Sequence, residues 1–433
     1  MEIINFTDIE SLRKRLYRKL VDDDDLYLSV GNILNNVKNK GDISLRDYSK
    51  MFDKVVLDNI IVTEDELSEA GNFVSDDLKN AISLAIENVS KFHVNQKNKD
   101  VPIETMGGIV CWRKQLPIEK IGLYIPGGSA PLFSTVIMLA IPAKIAGCEE
   151  IILCTPLGKD GNVNPVILYT AKLCGVSKVY KIGGAQAIAA MAYGTETVPK
   201  VYKIFGPGNK YVTIAKQIVS MKGIAIDMPA GPSELAVLAD DSANASFVAA
   251  DLLSQAEHDP DSQVLLVTCC RKLVKDTIFE LKKQVENLSR KEIAKKAIDN
   301  SKIIIAENYN QAIEIINDYA PEHLIIAMND SSVKDMITNA GSVFIGNYAT
   351  ESIGDYASGT NHTLPTNGAA KAYSGLTLEA FCKYISFQTI NEQGIRNIGP
   401  YVEKMAEAEG LDAHKNAVTI RLKFLQNENR KTY

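Results

Sequence analysis

The stretch IGLYIPGGSAPLFSTVIMLAIPAKIAG, residues 121–147, decides the fold. Its first residues are rich in β-forming side chains and lead into a glycine-bearing loop, YIPGGSAP, at 124–131. About one helix length then separates this loop from the next β-rich run, at 151–155. Short strands separated by segments of helical length are typical of a parallel sheet with crossover helices. The stretch therefore predicts an α/β fold.

The same alternation continues through most of the chain in two series. The first has β-rich runs at 122–126, 151–155, 179–182 and 201–205, and the second at 235–238, 264–268, 303–306, 324–327 and 342–345. The break between the series falls at DMPAGPSE, residues 227–234, where two prolines and a glycine interrupt a strand-like run. We therefore expect two Rossmann-like parallel-sheet domains, incomplete as dinucleotide folds, with a ligand cleft between them.

Helical patterns flank these series. The first hundred residues predict helices, ending in an amphipathic run at 76–96, and the pattern after Gly375 predicts helices again at 378–386 and 402–408. The expected division is an N-terminal helical arm (1–22), a first α/β domain (23–123 with 234–376), a second Rossmann-like domain (124–233) and a helical C-terminal domain (377–433).

Composition excludes several classes of protein. The 433 residues are 46% hydrophobic and 23% charged, and a net charge of -6 offers no positive surface for nucleic acid. The longest apolar stretch, at 133–146, is interrupted by Pro142 and Lys144 and falls short of the roughly 20 residues that span a bilayer. The N-terminus lacks a signal-peptide core, and seven cysteines without a CxxC pair indicate reduced thiols. A cytoplasmic enzyme without membrane segments is expected.

Two segments place polar side chains where chemistry is possible. In LLSQAEHDPDSQ, residues 252–263, Gln255 and His258 are three apart and share one face of a helix end. In YAPEHLI, residues 319–325, Glu322 and His323 stand side by side before an apolar strand, which suits a proton-transfer pair. Taken alone, each segment is equally compatible with an ordinary polar junction.

Two later segments add to this set. The run ESIGDYASGTNHTLPT, residues 351–366, holds Asp355 and His362 in a polar loop, which favours an active-site wall over solvated surface. In EAEGLDAHKNAVTIR, residues 407–421, Gly410 ends one helix and His414 begins the next. His258, Asp355 and His414 form a plausible zinc set, whereas Gln255 would be an unusual fourth ligand because an amide oxygen is a weak donor.

Three glycine-bearing loops end strands of the first series. Neither half carries a GxGxxG fingerprint; the loops are YIPGGSAP (124–131), IGGAQAIAA (182–190) and FGPGN (205–209). Glycine at a strand end lets backbone amides approach a phosphate closely, although each loop alone could be a tight βα turn. Three such loops in one half favour a bound ligand.

Together, these segments resemble the histidinol dehydrogenase family. The resembling stretches are YIPGGSAPLFSTV, GGAQAIAA, IFGPGN, IDMPAGPSE, LLSQAEHDPDSQV, PEHLI, GDYASGTNHTLPT and EGLDAHKNAVT, which are colinear over nearly the whole chain to about Arg421. The resemblance implies a cytoplasmic enzyme of the last step of histidine biosynthesis. It implies oxidation of L-histidinol to L-histidine through bound L-histidinaldehyde, with reduction of two NAD and one zinc ion per subunit.

The resemblance also implies roles for individual residues. Glu322 and His323 would be catalytic, with Glu322 activating water and His323 accepting the alcohol proton. Zinc would be held by Gln255, His258, Asp355 and His414. The substrate would be bound by Ser233, Gln255, His258, His323, Asp355, His362, Glu409 and His414. NAD would be bound by Tyr124, Gln186 and Asn209. The first α/β domain would carry most of this site. The family is a homodimer with an exchanged C-terminal region, so Glu409 and His414 would complete the partner's site. One departure is Asp259, where the family commonly has glycine.

Three other functions remain compatible with the residues themselves. An aldehyde dehydrogenase could form a covalent thiohemiacetal at Cys111 or Cys154. A zinc hydrolase could use the same histidines with Glu322 as base, but it would leave the glycine-bearing loops unexplained. A small-molecule-binding protein with the same fold would bind histidinol without producing NADH.

Overall fold

The computed structural model describes residues 1–16, 18, 24–127, 131–158, 160–228 and 231–431. In this part of the chain the strands are β1 (Glu2–Asn5), β2 (Ile103–Met106), β3 (Ile109–Pro117), β4 (Lys120–Tyr124), β5 (Glu150–Cys154), β6 (Lys178–Tyr180), β7 (Lys203–Phe205), β8 (Ala225–Ile226), β9 (Glu234–Ala239), β10 (Gln263–Thr268), β11 (Lys302–Ile305), β12 (His323–Ala327), β13 (Ser342–Ile345) and β14 (Cys382–Ile390).

The helices alternate with these strands. They are α1 (Ile9–Arg15), α2 (Asp24–Lys40), α3 (Asp42–Tyr48), α4 (Glu64–Glu69), α5 (Asp76–Val94), α6 (Phe133–Ala146), α7 (Pro165–Cys174), α8 (Gly184–Tyr193), α9 (Lys210–Met221), α10 (Ala245–Ala256), α11 (Arg271–Val285), α12 (Lys291–Asn300), α13 (Tyr309–Tyr319), α14 (Glu351–Tyr356), α15 (Glu392–Ala408) and α16 (Asp412–Lys431). Short 3-10 or π turns lie at Ser49–Asp53, Ala70–Phe73, Ser331–Met336, Ala369–Lys371 and Leu378–Phe381.

Two parallel sheets of the same topology form the centre of the fold. The five-stranded sheet has the order β6-β5-β4-β7-β8, and the six-stranded sheet has the order β1-β11-β10-β9-β12-β13. Counted along the chain from β4 and from β9, both follow the order 3-2-1-4-5 of a Rossmann-like sheet, with β1 added at one edge of the larger sheet. The predicted α/β fold with two Rossmann-like sheets is confirmed.

Each sheet is covered by helices on both faces. On the five-stranded sheet, α2, α8 and α9 contribute to one apolar core and α5, α6 and α7 to the other. On the six-stranded sheet, α10, α11 and α12 cover one face while α1 and α13 cover the other. Helix α6 is buried along most of its length and contains Pro142, so the longest apolar stretch of the chain is a core helix. No helix among the described residues is long and apolar enough to cross a membrane.

The chain divides into two compact units. One comprises Met1–Gln96 and Ile118–Phe381, and therefore both parallel sheets; the other comprises Lys97–Pro117 and Cys382–Tyr433. The second unit contains an antiparallel sheet of order β14-β3-β2 together with α15 and α16. This division differs from the expected boundaries, because β4 belongs wholly to the five-stranded sheet and α2 and α5 pack on that sheet rather than on the larger one.

Two segments expected to be helical contain strands. Residues 378–386 were expected to form a helix, but only Leu378–Phe381 turns, and Cys382–Ile390 is a strand paired with β3. Its sequence CKYISFQTI is rich in β-branched and aromatic residues, which suit a strand with one packed face. The expected N-terminal arm begins with β1, which pairs in parallel with β11 and buries Ile4 before α1 starts. The charged C-terminal tail is helical through Lys431.

Candidate active site

The six-stranded sheet brings the predicted acid–base pair to its amino edge. His323 is the first residue of β12, and it lies in register with Leu235, the second residue of the neighbouring strand β9. Glu322 therefore lies beside Glu234, which begins β9. Ligands of Rossmann-like sheets usually bind at the carboxyl edge, so this cluster uses the opposite end of the strands.

The surroundings of the His323 ring fix where its protons lie. Nδ1 lies 3.2 Å from the backbone oxygen of Glu234, and Nε2 lies 3.2 Å from Oδ1 of Asp355. A carbonyl oxygen only accepts hydrogen bonds, so Nδ1 carries a proton and Nε2 is the nitrogen that exchanges one. Burial opposes a charge on His323, but the carboxylates of Glu322 and Asp355 outweigh it and raise the pKa of this imidazole.

The surroundings of Glu322 favour its neutral form, whereas those of His323 favour the charged form. Its side chain is buried, and Oε2 accepts a hydrogen bond of 2.8 Å from the backbone N–H of Glu234. Burial raises the pKa of Glu322, and the neighbouring His323 only partly offsets this. Two adjacent groups whose pKa values are displaced from their usual ranges in a buried position are suited to acid–base chemistry.

Helix α14 supplies Asp355, and the loop after it supplies His362. Burial would raise the pKa of Asp355, but its hydrogen bond with His323 lowers it. The backbone oxygen of Asp355 accepts from Nδ1 of His362 at 2.8 Å, and Nε2 of His362 lies 3.1 Å from Oγ1 of Thr135 on α6. His362 thus links the cluster around His323 to a helix of the five-stranded sheet.

Gln255 and His258 lie at the end of α10. Nε2 of Gln255 is 3.2 Å from Nδ1 of His258, while the Gln255 carbonyl oxygen is buried without a hydrogen-bond partner. A buried acceptor without a partner costs free energy, and a cation would satisfy it. No group of three His, Cys, Asp or Glu in the described ranges is arranged to hold a metal by itself. The oxygen of Gln255 nevertheless makes this end of α10 fit a cation.

The remaining predicted site residues are divided between the two units. Ser233 precedes β9, and its backbone oxygen accepts from the N–H of Gln263. Glu409 caps the end of α15, and His414 lies in the first turn of α16; both are exposed and both belong to the second unit. The structure therefore brings together Glu322, His323, Asp355 and His362, but it does not bring Glu409 or His414 to them within one unit.

The predicted NAD contacts lie at the carboxyl edge of the five-stranded sheet. Tyr124 ends β4, and its hydroxyl accepts from the N–H of Gly184 at the start of α8. Gln186 is buried in the first turn of the same helix, and the Asn209 side chain caps α9 by accepting from the N–H groups of Tyr211 and Val212. Residues 128–130 of the first glycine-bearing loop lie outside the described residues.

Gly206 shows why the third loop needs glycine. Its φ of 126° is in a region that side chains avoid, and a Cβ there would lie 2.1 Å from the backbone oxygen of Tyr124. The Gly206 N–H donates to Asp227 at 2.7 Å, and its carbonyl oxygen accepts from Lys216 at 2.9 Å. Lys216 and Asp227 are themselves ion-paired and buried. The loop is thereby fixed at the point where the strand order of the sheet reverses, as expected for a nucleotide crevice.

Two further buried carboxyl groups were not singled out from the sequence. Glu351 begins α14 and is 1% exposed; Oε1 accepts from the Ser254 hydroxyl at 2.7 Å, while Oε2 has no partner. Asp251 lies one turn before Ser254 on α10, and burial raises its pKa to about 6. The sequence contains a signal for polar groups at this place, because Asp251, Ser254 and Gln255 interrupt one face of an otherwise apolar helix.

We expect replacement of Glu351 by Gln to stabilise the metal-free protein increasingly as the pH rises from 5 to 8. Burial raises the pKa of Glu351 to about 8, so the folded state keeps a proton that the unfolded state releases near pH 4.5. Stability conferred by this proton is complete below pH 4.5 and is lost as the pH approaches 8. The difference in free energy of unfolding between the variant and the parent chain should therefore grow by at most about 1.4 kcal/mol per pH unit.

Urea unfolding of chelator-treated protein at several pH values would measure this change. Replacement of the exposed Glu307 by Gln is the matched control, and its free energy of unfolding should follow that of the parent chain. A constant difference between the Glu351→Gln protein and the parent across this range would contradict the prediction.

The cysteines give no support to a thiol mechanism. All seven are free thiols, and Cys154 is fully buried, which strongly raises the pKa of its thiol. A thiol in that state is a poor nucleophile. Cys111 lies on β3, in the other unit from the cluster around His323.

Comparisons with known proteins agree with this geometry. The model of the histidinol dehydrogenase family matches residues 16–422. Histidinol dehydrogenase of Bacteroides thetaiotaomicron is 56% identical over 427 residues, covering 98% of this chain and all of the relative. The Vibrio cholerae enzyme of the same name is 52% identical and covers 92% of each chain.

A solved structure extends the agreement to three dimensions. The crystal structure of histidinol dehydrogenase from Elizabethkingia anophelis superposes with a TM-score of 0.96 at 52% identity, covering 98% of this chain and 99% of that one. Both the sequence and the fold match over almost the full length. With its acid–base cluster and glycine-bearing crevice, this chain belongs to the histidinol dehydrogenase family of oxidoreductases.

Proposed function

We propose that this chain oxidises L-histidinol to L-histidine through bound L-histidinaldehyde, using two NAD and one zinc ion per subunit. The observation that carries the proposal is the buried cluster of Glu322, His323 and Asp355 at the amino edge of the six-stranded sheet. Alcohol and aldehyde oxidation in succession need a base for the alcohol proton and a second base for water. The adjacent imidazole and carboxylate supply both.

NAD would accept one hydride in each oxidation, and zinc would act as a template that orients the nitrogen atoms of the substrate. Nε2 of His323 accepts the hydroxyl proton in the first oxidation, because Nδ1 is engaged with the carbonyl oxygen of Glu234. Glu322 removes a proton from the water that adds to the aldehyde, and His323 then deprotonates the resulting hydrate. Histidine is the product.

The metal proposal rests on Gln255, His258 and Asp355, with His414 as the fourth ligand. Its support is the buried carbonyl oxygen of Gln255, which has no partner, together with the nitrogen and carboxylate donors nearby. A cation at the Asp355 carboxylate would also compete with its hydrogen bond to His323. The Asp355 contribution to the raised pKa of His323 would then fall, which would favour the neutral imidazole that a base requires.

NAD is proposed to bind the crevice formed by Tyr124, Gln186 and Asn209. The support is the position of these residues at the carboxyl edge of the five-stranded sheet, together with the fixed loop at Gly206. The Asn209 oxygen already caps α9, so its available donor is the side-chain NH₂ group. Ser233 and His362 are proposed to contact the substrate from the loops beside β9 and α14.

The test of this function is the yield of NADH from purified protein supplied with histidinol, NAD and zinc. We expect two NADH per histidinol, followed by near-ultraviolet absorbance, with histidine as the final product. A yield of one NADH with released aldehyde, or a full rate after chelation of the metal, would contradict the proposal. A protein that only binds histidinol would form no NADH.

We further propose a homodimer whose subunits exchange their C-terminal regions, so that Glu409 and His414 complete the partner's site. The support is the surface of the second unit. Its helices α15 and α16 expose Tyr401, Met405, Ile420 and Phe424, and the turn between them exposes Leu411. Its antiparallel sheet borders a groove of about 720 Å³ that includes Trp112 and Phe387. Apolar surface of this extent indicates an interface between proteins.

Co-expression of a His323→Asn chain with a His414→Asn chain would test the exchange. In a heterodimer with shared sites, one of the two sites combines the unaltered His323 and the unaltered His414. Random pairing should then restore about a quarter of the parent activity, although neither chain is active alone. Zero activity in a mixture shown by differential tags to contain heterodimers would contradict the exchange.

A further inference from the structure

Glu234 holds both members of the catalytic pair through its backbone. Its N–H donates to Oε2 of Glu322 at 2.8 Å, and its carbonyl oxygen accepts from Nδ1 of His323 at 3.2 Å. The first of these bonds orients a carboxylate, and the second selects the imidazole nitrogen that can exchange a proton. The position of one peptide segment at the start of β9 therefore sets the geometry of two reacting side chains.

The side chain of Glu234 anchors that segment through contacts with Asn367 and Arg18. It is 2% exposed; Oε1 accepts from the N–H of Asn367 at 2.8 Å and lies 3.0 Å from Nη1 of Arg18. A buried carboxylate is costly unless it is paired, so loss of Arg18 would favour movement of Glu234 toward solvent. Such a movement would pull the start of β9 away from Glu322 and His323.

Arg18 is itself held in place on the segment that leads into β12. Nη2 donates to the backbone oxygen of Tyr319 at 2.6 Å, and the guanidinium group lies 3.7 Å from the centre of the Tyr319 ring. Tyr319 is buried, and its hydroxyl donates to Gln263 at 2.8 Å. Arg18 therefore bridges the residue that begins β9 and a residue shortly before Glu322.

We propose that Arg18 and Glu234 are positioning residues of the oxidation, which set the orientation of Glu322 and His323 without touching the substrate. This inference rests on the proposed function, since it assigns no chemistry to Arg18 itself. It makes the N-terminal segment part of the catalytic apparatus. Neither residue stands out in the sequence, because the ion pair joins positions far apart in the chain.

A cavity beside Arg18 offers a direct way to test the pair. It measures about 290 Å³ and is lined by Arg13, Arg18, Asp318, Tyr319 and residues of the 367–371 turn. In an Arg18→Ala protein this opening would admit a small guanidinium ion. Ethylguanidinium added to the assay could then occupy the place of the missing side chain and pair with Glu234.

The experiment compares Arg18→Ala with Arg13→Ala as its matched control. Arg13 comes from the same N-terminal segment and pairs with Asp318 through hydrogen bonds from Nε at 3.0 Å and from Nη2 at 2.5 Å, but it contacts neither catalytic residue. We expect Arg18→Ala to lower kcat by about 10- to 100-fold, because small misplacements of reacting groups have effects of this size. The KM for NAD should stay within about twofold, because the nucleotide loops belong to the other sheet, and ethylguanidinium should restore at least part of kcat.

Arg18→Lys and Glu234→Gln provide further variants in case the alanine substitution prevents folding. Lysine keeps the charge without the planar group that stacks on Tyr319, and glutamine keeps the shape without the charge. Both should lower kcat, with Arg18→Lys retaining more activity than Arg18→Ala where both fold. A kcat for the folded Arg18 variants equal to that of Arg13→Ala, or a loss of thermal stability without a loss of kcat, would overturn the inference.

His323→Asn separates this inference from the function on which it rests. If the parent forms no NADH from histidinol, or if His323→Asn keeps the parent rate, the proposed function fails whatever Arg18 does. If the parent forms two NADH, His323→Asn is inactive and Arg18→Ala matches Arg13→Ala, only the positioning role fails.

Discussion

Replacement of His323 by Asn is expected to lower kcat for histidinol oxidation by about 10²- to 10⁴-fold, the usual contribution of a positioned general base. The Asn side chain can still donate to the carbonyl oxygen of Glu234, so the start of β12 should keep its position. It cannot accept a proton, and both oxidations lose their base. Steady-state kinetics of NADH formation would measure the loss.

Two observations make this result specific to proton transfer. Zinc content and the free energy of unfolding of the His323→Asn protein should stay close to those of the parent, because Gln255 and His258 are untouched. A fall in zinc content that accounts for the lost turnover would instead assign His323 to the metal. A decrease in kcat below about tenfold would contradict the role of general base.

Replacement of His258 by Asn is expected to have the second large effect, through the metal. Loss of an imidazole ligand should weaken zinc binding by at least about 100-fold, since loss of outer-shell partners alone costs 10- to 100-fold. Turnover should disappear at stoichiometric zinc and return in part at high zinc concentration. Metal analysis after dialysis, together with activity as a function of zinc concentration, would measure both.

His93→Asn is the control for removal of a histidine. His93 is buried on α5 and contacts Gln96 and Asn361, and it belongs to no proposed ligand set. Its replacement should leave one zinc ion per subunit. A His258→Asn protein that retained zinc after dialysis as the parent does would remove His258 from the ligand set.

The two parallel sheets could be predicted from the sequence because their strands are buried on both faces. Continuous apolar runs such as VLLV in β10 and LIIA in β12 leave little choice of structure. Strand β14 lacked that signal, because most of its residues are exposed and its partner β3 lies far away in the sequence. The sheet on which α2 and α5 pack could not be predicted either, since an apolar helix face does not specify which sheet it covers.

The candidate site shows the same limit. Glu322 and His323 could be singled out because they are neighbours in the chain, whereas Glu351 depends on Ser254, 97 residues away. The contact of Arg18 with Glu234 is likewise made by the fold alone. Local spacing reveals groups that act together on one element. It does not reveal groups that become partners only when loops from different strands meet.

The contact between the loop after α14 and helix α6 bears on how two oxidations follow one another. His362 reaches Thr135, and Asn361 donates to the backbone oxygen of Met138 at 2.6 Å, so the loop is fastened to the helix that follows the first glycine-bearing turn. An enzyme that removes four electrons with a two-electron acceptor must exchange that acceptor midway while retaining a reactive intermediate. Because the loop is anchored to a core helix, we expect the wall around the intermediate to keep its position during that exchange.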